Sequence, residues 1–128
     1  MKTKFQIEYP MKNTSLSVLW SYISNDNGLS DWFADEVSVE HDKYYTFRWG
    51  DTEQKAELCN FRTGNYLRFH WLDDSDERTY FEFKVSINEL TAEVMLIITD
   101  FAEPGEQDEI IDLWDSQIEK LRRITGII

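Results

Sequence analysis

Between Glu36 and Thr99 the chain alternates apolar and polar residues along six short segments that turns separate. A period of two places the apolar side chains of each segment on one face of a β-strand. Neighbouring strands joined by short turns run antiparallel, so the pattern predicts a meandering antiparallel sheet. The last segment, 93–99, is apolar on both faces. Such a sheet needs another element to cover its apolar face, and this need constrains the fold more than any other feature.

The residues before the meander predict one strand and two short helices. Lys4 to Tyr9 alternates and is ended by Pro10, which is typical of a half-buried strand. Ser15 is a helix cap for the apolar positions that follow it, and the turn 25–28 is expected to end this helix. A second short helix is expected from Leu29. The apolar positions of the two helices are Leu16, Leu19, Trp20, Ile23, Leu29, Trp32 and Phe33.

The residues after Pro104-Gly105 predict one long amphipathic helix. Ile110, Trp114, Ile118 and Leu121 recur at helical spacing, acidic residues precede them and basic residues follow. This charge order complements the helix dipole, and Gly126 is expected as the residue after the last turn. The helix is the only predicted element large enough to cover the sheet. We therefore predict a single α+β domain over 1–128, with a curved antiparallel sheet gripping the C-terminal helix.

The charge of the chain limits its partners and its location. It has 13 basic and 25 acidic residues, a formal charge of −12, which argues against binding nucleic acid or an anionic membrane. A single cysteine, Cys59, cannot form an internal disulfide and fits a reducing compartment. The sequence has no apolar stretch that could span a bilayer, and its start lacks the apolar core of a signal peptide. A cytoplasmic protein without membrane insertion is expected.

Several phrases of the sequence resemble one known superfamily. Gly28-Leu29-Ser30-Asp31-Trp32-Phe33, a later Phe47-Arg48-Trp49 and Leu113-Trp114 in the last helix look like the START-like (SRPBCC) helix-grip superfamily. Within it, the chain is similar to proteins like the activator of the large cytosolic heat-shock ATPase. It is most similar to a small bacterial START-like subgroup without an assigned activity. The resemblance extends from about Lys4 to Leu121.

The resemblance implies the same helix-grip fold that the periodicity predicts, and it leaves the function broad. The superfamily includes lipid binders, polyketide cyclases and co-chaperone-like proteins, so the fold alone does not select one activity. The sequence departs from the family at one turn. Relatives often carry glycine just before the Phe-x-Trp strand, whereas Asp42-Lys43 stands there in this chain.

Aromatic side chains are concentrated on the sheet face that the last helix must cover. If these rings leave a cavity under the helix, they line a ligand site, since such clefts are the usual binding sites. If they pack at normal core density, no usable cavity remains. Both alternatives are open at the level of sequence. Arg48 or Tyr80 is a candidate polar anchor at the mouth, although strand parity assigns both to the other face. The candidate ligand-binding residues are Trp32, Phe33, Phe47, Trp49, Phe69, Trp71, Phe81, Phe83, Trp114 and Ile118.

The sequence predicts no catalytic residue, no metal site and no cofactor. His41 and His70 have no metal-type spacing to another ligand, and no motif adjoins Cys59 that would lower the pKa of its thiol. The acidic run 73–77 lacks the glycine and the distant glutamate of a calcium loop. It is expected to be a solvated turn. No phosphate-binding loop or nucleotide fingerprint occurs in the sequence.

Three function classes follow, in order of preference. The first is non-enzymatic binding of a small hydrophobic ligand, lipid-like or aromatic, between the sheet and the C-terminal helix. The second is a protein-interaction or co-chaperone-like module, or a homodimer, which a patch of Met95 and Ile97, with Tyr66 and Tyr80, would serve if it is exposed. Cover by the N-terminal segment is the alternative for this patch. The third is a cyclase-like or hydrolytic enzyme, for which only Thr46, Asn60 and Thr99 are candidate polar groups.

Overall fold

Seven strands and three helices make up the computed structural model, which describes residues 1–12 and 14–125. In chain order the elements are β1 (Thr3–Pro10), α1 (Leu16–Ile23), α2 (Asp26–Trp32), β2 (Glu36–Glu40), β3 (Tyr44–Trp49), β4 (Thr52–Arg62), β5 (Tyr66–Trp71), β6 (Phe81–Ile87), β7 (Val94–Ala102) and α3 (Gln107–Ile124). The predicted α+β class, with six meandering strands after one N-terminal strand, is confirmed.

All seven strands lie in one antiparallel sheet with the order β1-β7-β6-β5-β4-β3-β2. Strands β2 to β7 pair with their chain neighbours, as a meander requires. β1 closes the far edge by pairing with β7, from Thr3 opposite Ala102 to Pro10 opposite Met95. This pairing explains why β7 continues past its predicted end at Thr99, because β1 supplies backbone partners as far as Ala102.

The helical hairpin before β2 corrects one sequence prediction. Residues 25–28 do not form a separate turn, because α2 already begins at Asp26. The Asn25 side chain accepts a hydrogen bond from the Gly28 backbone N–H at 2.8 Å, so the expected turn residue is the N-cap of the next helix. Gly28 is buried where α2 meets α1: a β-carbon on it would lie 2.3 Å from the carbonyl oxygen of Ser21.

The hydrophobic core lies between the inner face of the sheet and α3. Trp114, Ile118 and Leu121 of α3 are buried against this face, which is the cover that the sheet requires. The charge order expected for this helix is present, with acidic residues in its first turn and Arg122 and Arg123 in its last. Gly126, the predicted C-terminal cap residue, lies outside the described residues.

The turn between β2 and β3 uses an uncommon backbone conformation. His41 and Asp42 both have a positive φ of 56°, and the Lys43 N–H donates to the Glu40 carbonyl at 3.1 Å. Positive φ at both central residues of a two-residue turn is typical of type I′, which favours Asn and Gly. The chain therefore makes the hairpin without the glycine that its relatives often carry nearby.

The outer face of the sheet does not present the exposed apolar patch that the sequence offered as a candidate. Its apolar residues are partly buried and charged residues lie beside them. Met95 is only 8% exposed, and Ile97 is half-buried. Arg68 forms an ion pair with Glu82 at 2.9 Å and lies over the Tyr80 ring at 4.1 Å. Met95 thus adds little to any exposed patch on this face.

None of the described helices has the length and apolarity needed to cross a membrane.

Candidate functional site

A cleft of about 750 Å³ opens at one end of the sheet, beside α3. It is surrounded by the end of α2 with the residues that follow, by α3 from Ile110 to Lys120, and by the ends of β3, β5 and β7 with the loop before β6. Lys2 and Gln54 complete the lining. Its volume lies within the range of small-molecule sites. The sequence did not decide whether a cavity exists beside the aromatic rings. The structure has one, and it is a cleft at the end of the sheet rather than a chamber beneath the whole helix.

The structure divides the ten predicted ligand-binding residues into two sets. Trp32, Phe33, Trp49, Trp71 and Trp114 line the cleft. The other five are no more than 1% exposed and lie in the core behind it; they are Phe47, Phe69, Phe81, Phe83 and Ile118. The two sets pack against each other, since Phe33 and Trp71 of the first contact Phe81 of the second. Ligand contact by any of these residues stays a prediction.

Phe33 is the centre of the aromatic cluster. Its ring centroid lies 5.0 Å from that of Phe47, 5.5 Å from that of Trp49 and 5.8 Å from that of Trp114. Its backbone carbonyl accepts hydrogen bonds from Trp49 Nε1 at 2.8 Å and Gln117 Nε2 at 2.9 Å. Phe33 thereby joins α2, β3 and α3. The two hydrogen bonds to its carbonyl fix the positions of these three cleft walls relative to one another.

A partly buried carboxylate lies on the β7 side of the cleft. Asp100 accepts a hydrogen bond from Trp114 Nε1 at 2.9 Å and another from the Phe101 backbone N–H at 2.7 Å. Removal from water raises the pKa of Asp100 above its ordinary value, although the two hydrogen bonds oppose this change. The cleft therefore contains a carboxylate whose hydrogen bonds offset only part of the energy lost when its charged form is removed from water.

The acidic loop between β5 and β6 closes the cleft on another side. Asp74 accepts hydrogen bonds from the Lys2 ammonium and from the Thr79 hydroxyl. The Thr79 hydroxyl is the main cause that lowers the pKa of Asp74 to about 2, with Lys2 contributing less. The sequence suggested a solvated turn here, but the Asp74 side chain is only 12% exposed. This one member of the acidic run is part of the cleft wall.

Tyr80 lines the cleft and Arg48 does not, which separates the two candidate anchors. The Tyr80 ring contacts Phe101 at 5.1 Å and lies under the Arg68 guanidinium of the outer face at 4.1 Å, which agrees with the face that strand parity assigns to it. Arg48 instead pairs with Glu53 at 3.0 Å. The polar candidates for an enzyme, Thr46, Asn60 and Thr99, are absent from the lining.

The cleft also contains polar residues that were not predicted as site residues, among them Lys2, Asp100, Gln117 and Lys120. One of them had a signal. Asp100 is a charged residue inside β7, two residues after the apolar run 94–98, and a polar residue that breaks a buried pattern often marks a functional position. The others come from distant parts of the chain, and nothing in their local sequence links them.

The titratable groups that the sequence discounted, His41, Cys59 and His70, are not part of the cleft lining. His70 Nδ1 lies 2.8 Å from the Thr79 carbonyl oxygen, to which it donates when protonated there, and His41 lies in the exposed β2–β3 turn. Desolvation raises the pKa of the Cys59 thiol, which keeps it protonated and weakly nucleophilic. Within residues 1–12 and 14–125, no group of three or more His, Cys, Asp or Glu is placed to hold a metal ion.

Comparison with solved structures finds a relative of substantial identity as well as distant ones. A Bacteroides fragilis protein, BfR322, is 49% identical; the match covers 96% of this chain and 90% of that chain, with a TM-score of 0.67. The Aha1 dimer from Colwellia psychrerythraea is 13% identical, with 98% and 97% of the two chains covered and a TM-score of 0.79. A conserved Enterococcus faecalis protein, EF2215, is 16% identical over 96% of this chain and 71% of its own, with a TM-score of 0.71.

The distant matches show the fold alone. The comparison with curated proteins found no match. A family model described as the START-like superfamily domain matches residues 1–127. This match covers nearly the whole chain and agrees with the antiparallel sheet and the long C-terminal helix described above. The chain belongs to the START-like superfamily.

Proposed function

We propose that this chain binds a small, largely apolar molecule in the cleft beside α3, without covalent chemistry. The observation that supports the proposal is the cleft of about 750 Å³ whose lining includes seven aromatic residues. START-like domains often bind ligands or take part in protein interactions, and a preformed aromatic cleft favours the first role.

The aromatic lining provides most of the binding energy in this proposal. Trp49 and Trp71 are only half-buried, so part of each indole faces the cleft and loses water when a ligand enters. Burial of apolar surface contributes roughly 25 cal/mol per Å². The hydrogen bonds that Trp49 and Gln117 donate to the Phe33 carbonyl hold the walls in place before binding, which lowers the ordering cost.

The proposal is tested with prodan, a neutral naphthalene dye whose emission shifts to the blue when it leaves water. We expect saturable binding to the wild-type chain. Leu113 lies at the rim of the cleft and is 66% exposed. Leu113→Glu places a carboxylate at the mouth with little effect on the core, and we expect it to weaken prodan binding about 5- to 10-fold through lost apolar contact.

The matched control is Leu90→Glu, because Leu90 is 96% exposed and lies outside the cleft lining. Prodan affinity should be unchanged in this variant, and both variants should unfold at the wild-type temperature. Equal affinity in Leu113→Glu and Leu90→Glu, or no saturable binding to the wild type, contradicts the proposal.

Self-association is the second candidate function, and a similarity favours it: the Aha1 protein from Colwellia psychrerythraea is described as a dimer. The half-buried Ile97 on the outer sheet face is the residue on which we base a test. If the chain dimerises through this face, light scattering gives two chain masses for the wild type and one for Ile97→Glu. A single chain mass for the wild type at all concentrations argues against this role.

A further inference from the structure

We infer that the ligand of the cleft carries a positive charge beside its apolar body, as an arylalkyl amine does. This inference rests on the proposed function, since it names the class of ligand for the same cleft. It is based on three features of the lining: its charge balance, the environment of Asp100 and the half-buried indole rings of Trp49 and Trp71.

The cleft lining has an excess of negative charge. Its acidic members are Asp31, Asp35, Asp74 and Asp100, and its basic members are Lys2 and Lys120. The Lys2 ammonium lies 2.9 Å from a carboxylate oxygen of Asp74, so these two charges largely compensate each other. Three carboxylates then remain against the single ammonium of Lys120. An anionic ligand would be repelled by this balance, and a cationic one attracted.

Asp100 is the carboxylate that would gain most from a cationic ligand. Its two oxygens accept one hydrogen bond each, from Trp114 Nε1 and from the Phe101 N–H. Both donors are neutral, so they reduce the cost of desolvating the carboxylate without neutralising its charge. An ammonium group in the cleft would add a charge-assisted hydrogen bond, which is stronger than a neutral one. Desolvation raises the pKa of Asp100 despite these hydrogen bonds and the charge of Lys2 nearby, so an additional cation would stabilise the charged form.

The aromatic lining favours the same ligand charge. Trp49, Trp71 and Trp114 line the cleft, and the face of an indole ring carries negative potential that attracts cations. Trp49 Nε1 and Trp114 Nε1 already donate to protein acceptors. Trp114 is only 5% exposed, so the contribution of the indole rings to a ligand comes from the half-buried Trp49 and Trp71, whose accessible surface can contact an ammonium group as well as an apolar body.

The test compares three ligands of one shape: 2-naphthylmethylamine, 2-naphthalenemethanol and 2-naphthoate, which are cationic, neutral and anionic near neutral pH. Binding is followed through the indole N–H signals of the tryptophans in two-dimensional NMR spectra. We expect the amine to bind about 3- to 10-fold more tightly than the alcohol, from the combined ion-pair and cation–π terms. The carboxylate should bind most weakly, and added salt should lower the affinity for the amine only.

Three aspartate-to-asparagine variants separate the contribution of charge from that of shape. Asp100→Asn keeps an acceptor for Trp114 and should remove most of the preference for the amine while leaving alcohol affinity unchanged. Asp108→Asn, in the exposed first turn of α3 and outside the cleft lining, is the matched control and should change neither affinity. Asp31→Asn, at an exposed lining position, gives a second reading if Asp100→Asn fails to fold.

The outcomes distinguish this inference from the proposal beneath it. If the alcohol binds as tightly as the amine, and both shift the Trp49 and Trp114 signals, the charge inference is wrong and cleft binding stands. If none of the three compounds shifts these signals, the proposed function fails and the charge inference fails with it.

Discussion

Trp114 of α3 donates its indole N–H to Asp100 of β7 at 2.9 Å, which joins the covering helix to the sheet at the edge of the cleft. This contact couples a reporter group to a titratable one. Desolvation raises the pKa of Asp100, so the folded state binds a proton more readily than the unfolded chain does. Protonation therefore favours folding as the pH falls through the raised pKa.

We expect the Trp114 Nε1–H resonance to titrate with an inflection above the ordinary aspartate value of about 3.9. The indole signals of Trp32 and Trp49 are controls, because their N–H groups donate to the backbone carbonyls of Tyr22 and Phe33. In Asp100→Asn the inflection should vanish. An inflection at or below the ordinary value would show that the hydrogen bonds outweigh desolvation at this carboxylate.

For Asp74 we expect the contribution to folding stability to depend on pH in the opposite direction. Its pKa is lowered to about 2 by the Thr79 hydroxyl and Lys2, so its contribution to stability is present above about pH 5 and is lost as the pH falls toward 2. We expect Asp74→Asn to lower the free energy of unfolding by about 1–2 kcal/mol near neutral pH. The difference from wild type should shrink as the pH approaches 2.

The neighbouring Asp73 is exposed and provides the control for Asp74. We expect Asp73→Asn to change the free energy of unfolding by less than about 0.5 kcal/mol at any pH. Equal effects of the two substitutions in urea titrations would mean that Asp74 has no special role in the cleft wall.

The close packing around Gly28 predicts that even a methyl side chain at this position lowers the stability of the fold. A β-carbon there would lie 2.3 Å from the Ser21 carbonyl oxygen and 2.7 Å from Tyr22 Cα, both of which are backbone atoms that cannot rotate away. We expect Gly28→Ala to destabilise the fold by about 2–3 kcal/mol through overpacking. Ser30→Ala in the same helix is the control for helix propensity. Wild-type stability of Gly28→Ala in chemical denaturation would contradict this close approach of α1 and α2.

The Phe33 carbonyl allows a double-mutant cycle. Because it accepts from both Trp49 and Gln117, either donor alone still satisfies it. We expect Trp49→Phe or Gln117→Ala to cost about 0.5–1.5 kcal/mol of stability each through the lost hydrogen bond. The double variant leaves the carbonyl without either donor and should cost about 1 kcal/mol more than the sum. Strict additivity would show that water replaces the missing donors.

The β2–β3 turn offers a stabilising change. His41 and Asp42 both have positive φ, which Asn and Gly adopt with less strain. The double substitution His41→Asn and Asp42→Gly is expected to raise the free energy of unfolding by about 0.5–1 kcal/mol. Lys43→Gly, one residue further on, lies outside the positive-φ pair and should lower stability instead. A loss of stability in the double variant would contradict the turn geometry.

Much of the fold follows from local patterns in the sequence. The period of two in residues 36–99 determines strands with one apolar face, and the helical spacing from Ile110 to Leu121 determines the cover. These two patterns require each other, because neither apolar surface is stable in water alone. The α+β class and the helix-grip arrangement were therefore predictable. The start of α2 was not, because Asn25 suits a turn and a helix cap equally well, and only its bond to the Gly28 N–H distinguishes them.

The sequence by itself determined that aromatic side chains share one face of the sheet. Only the tertiary structure decided which of them border empty space: Phe47 and Phe69 are sealed in the core, whereas Trp49 and Trp71, on the same two strands, line the cleft. The physical reason is that periodicity assigns a face but not a position relative to the end of the covering helix. In the same way, the folding of β1 and the β5–β6 loop brings Lys2 to Asp74 across most of the chain. No local pattern encodes that contact, because it depends on where distant segments meet in space.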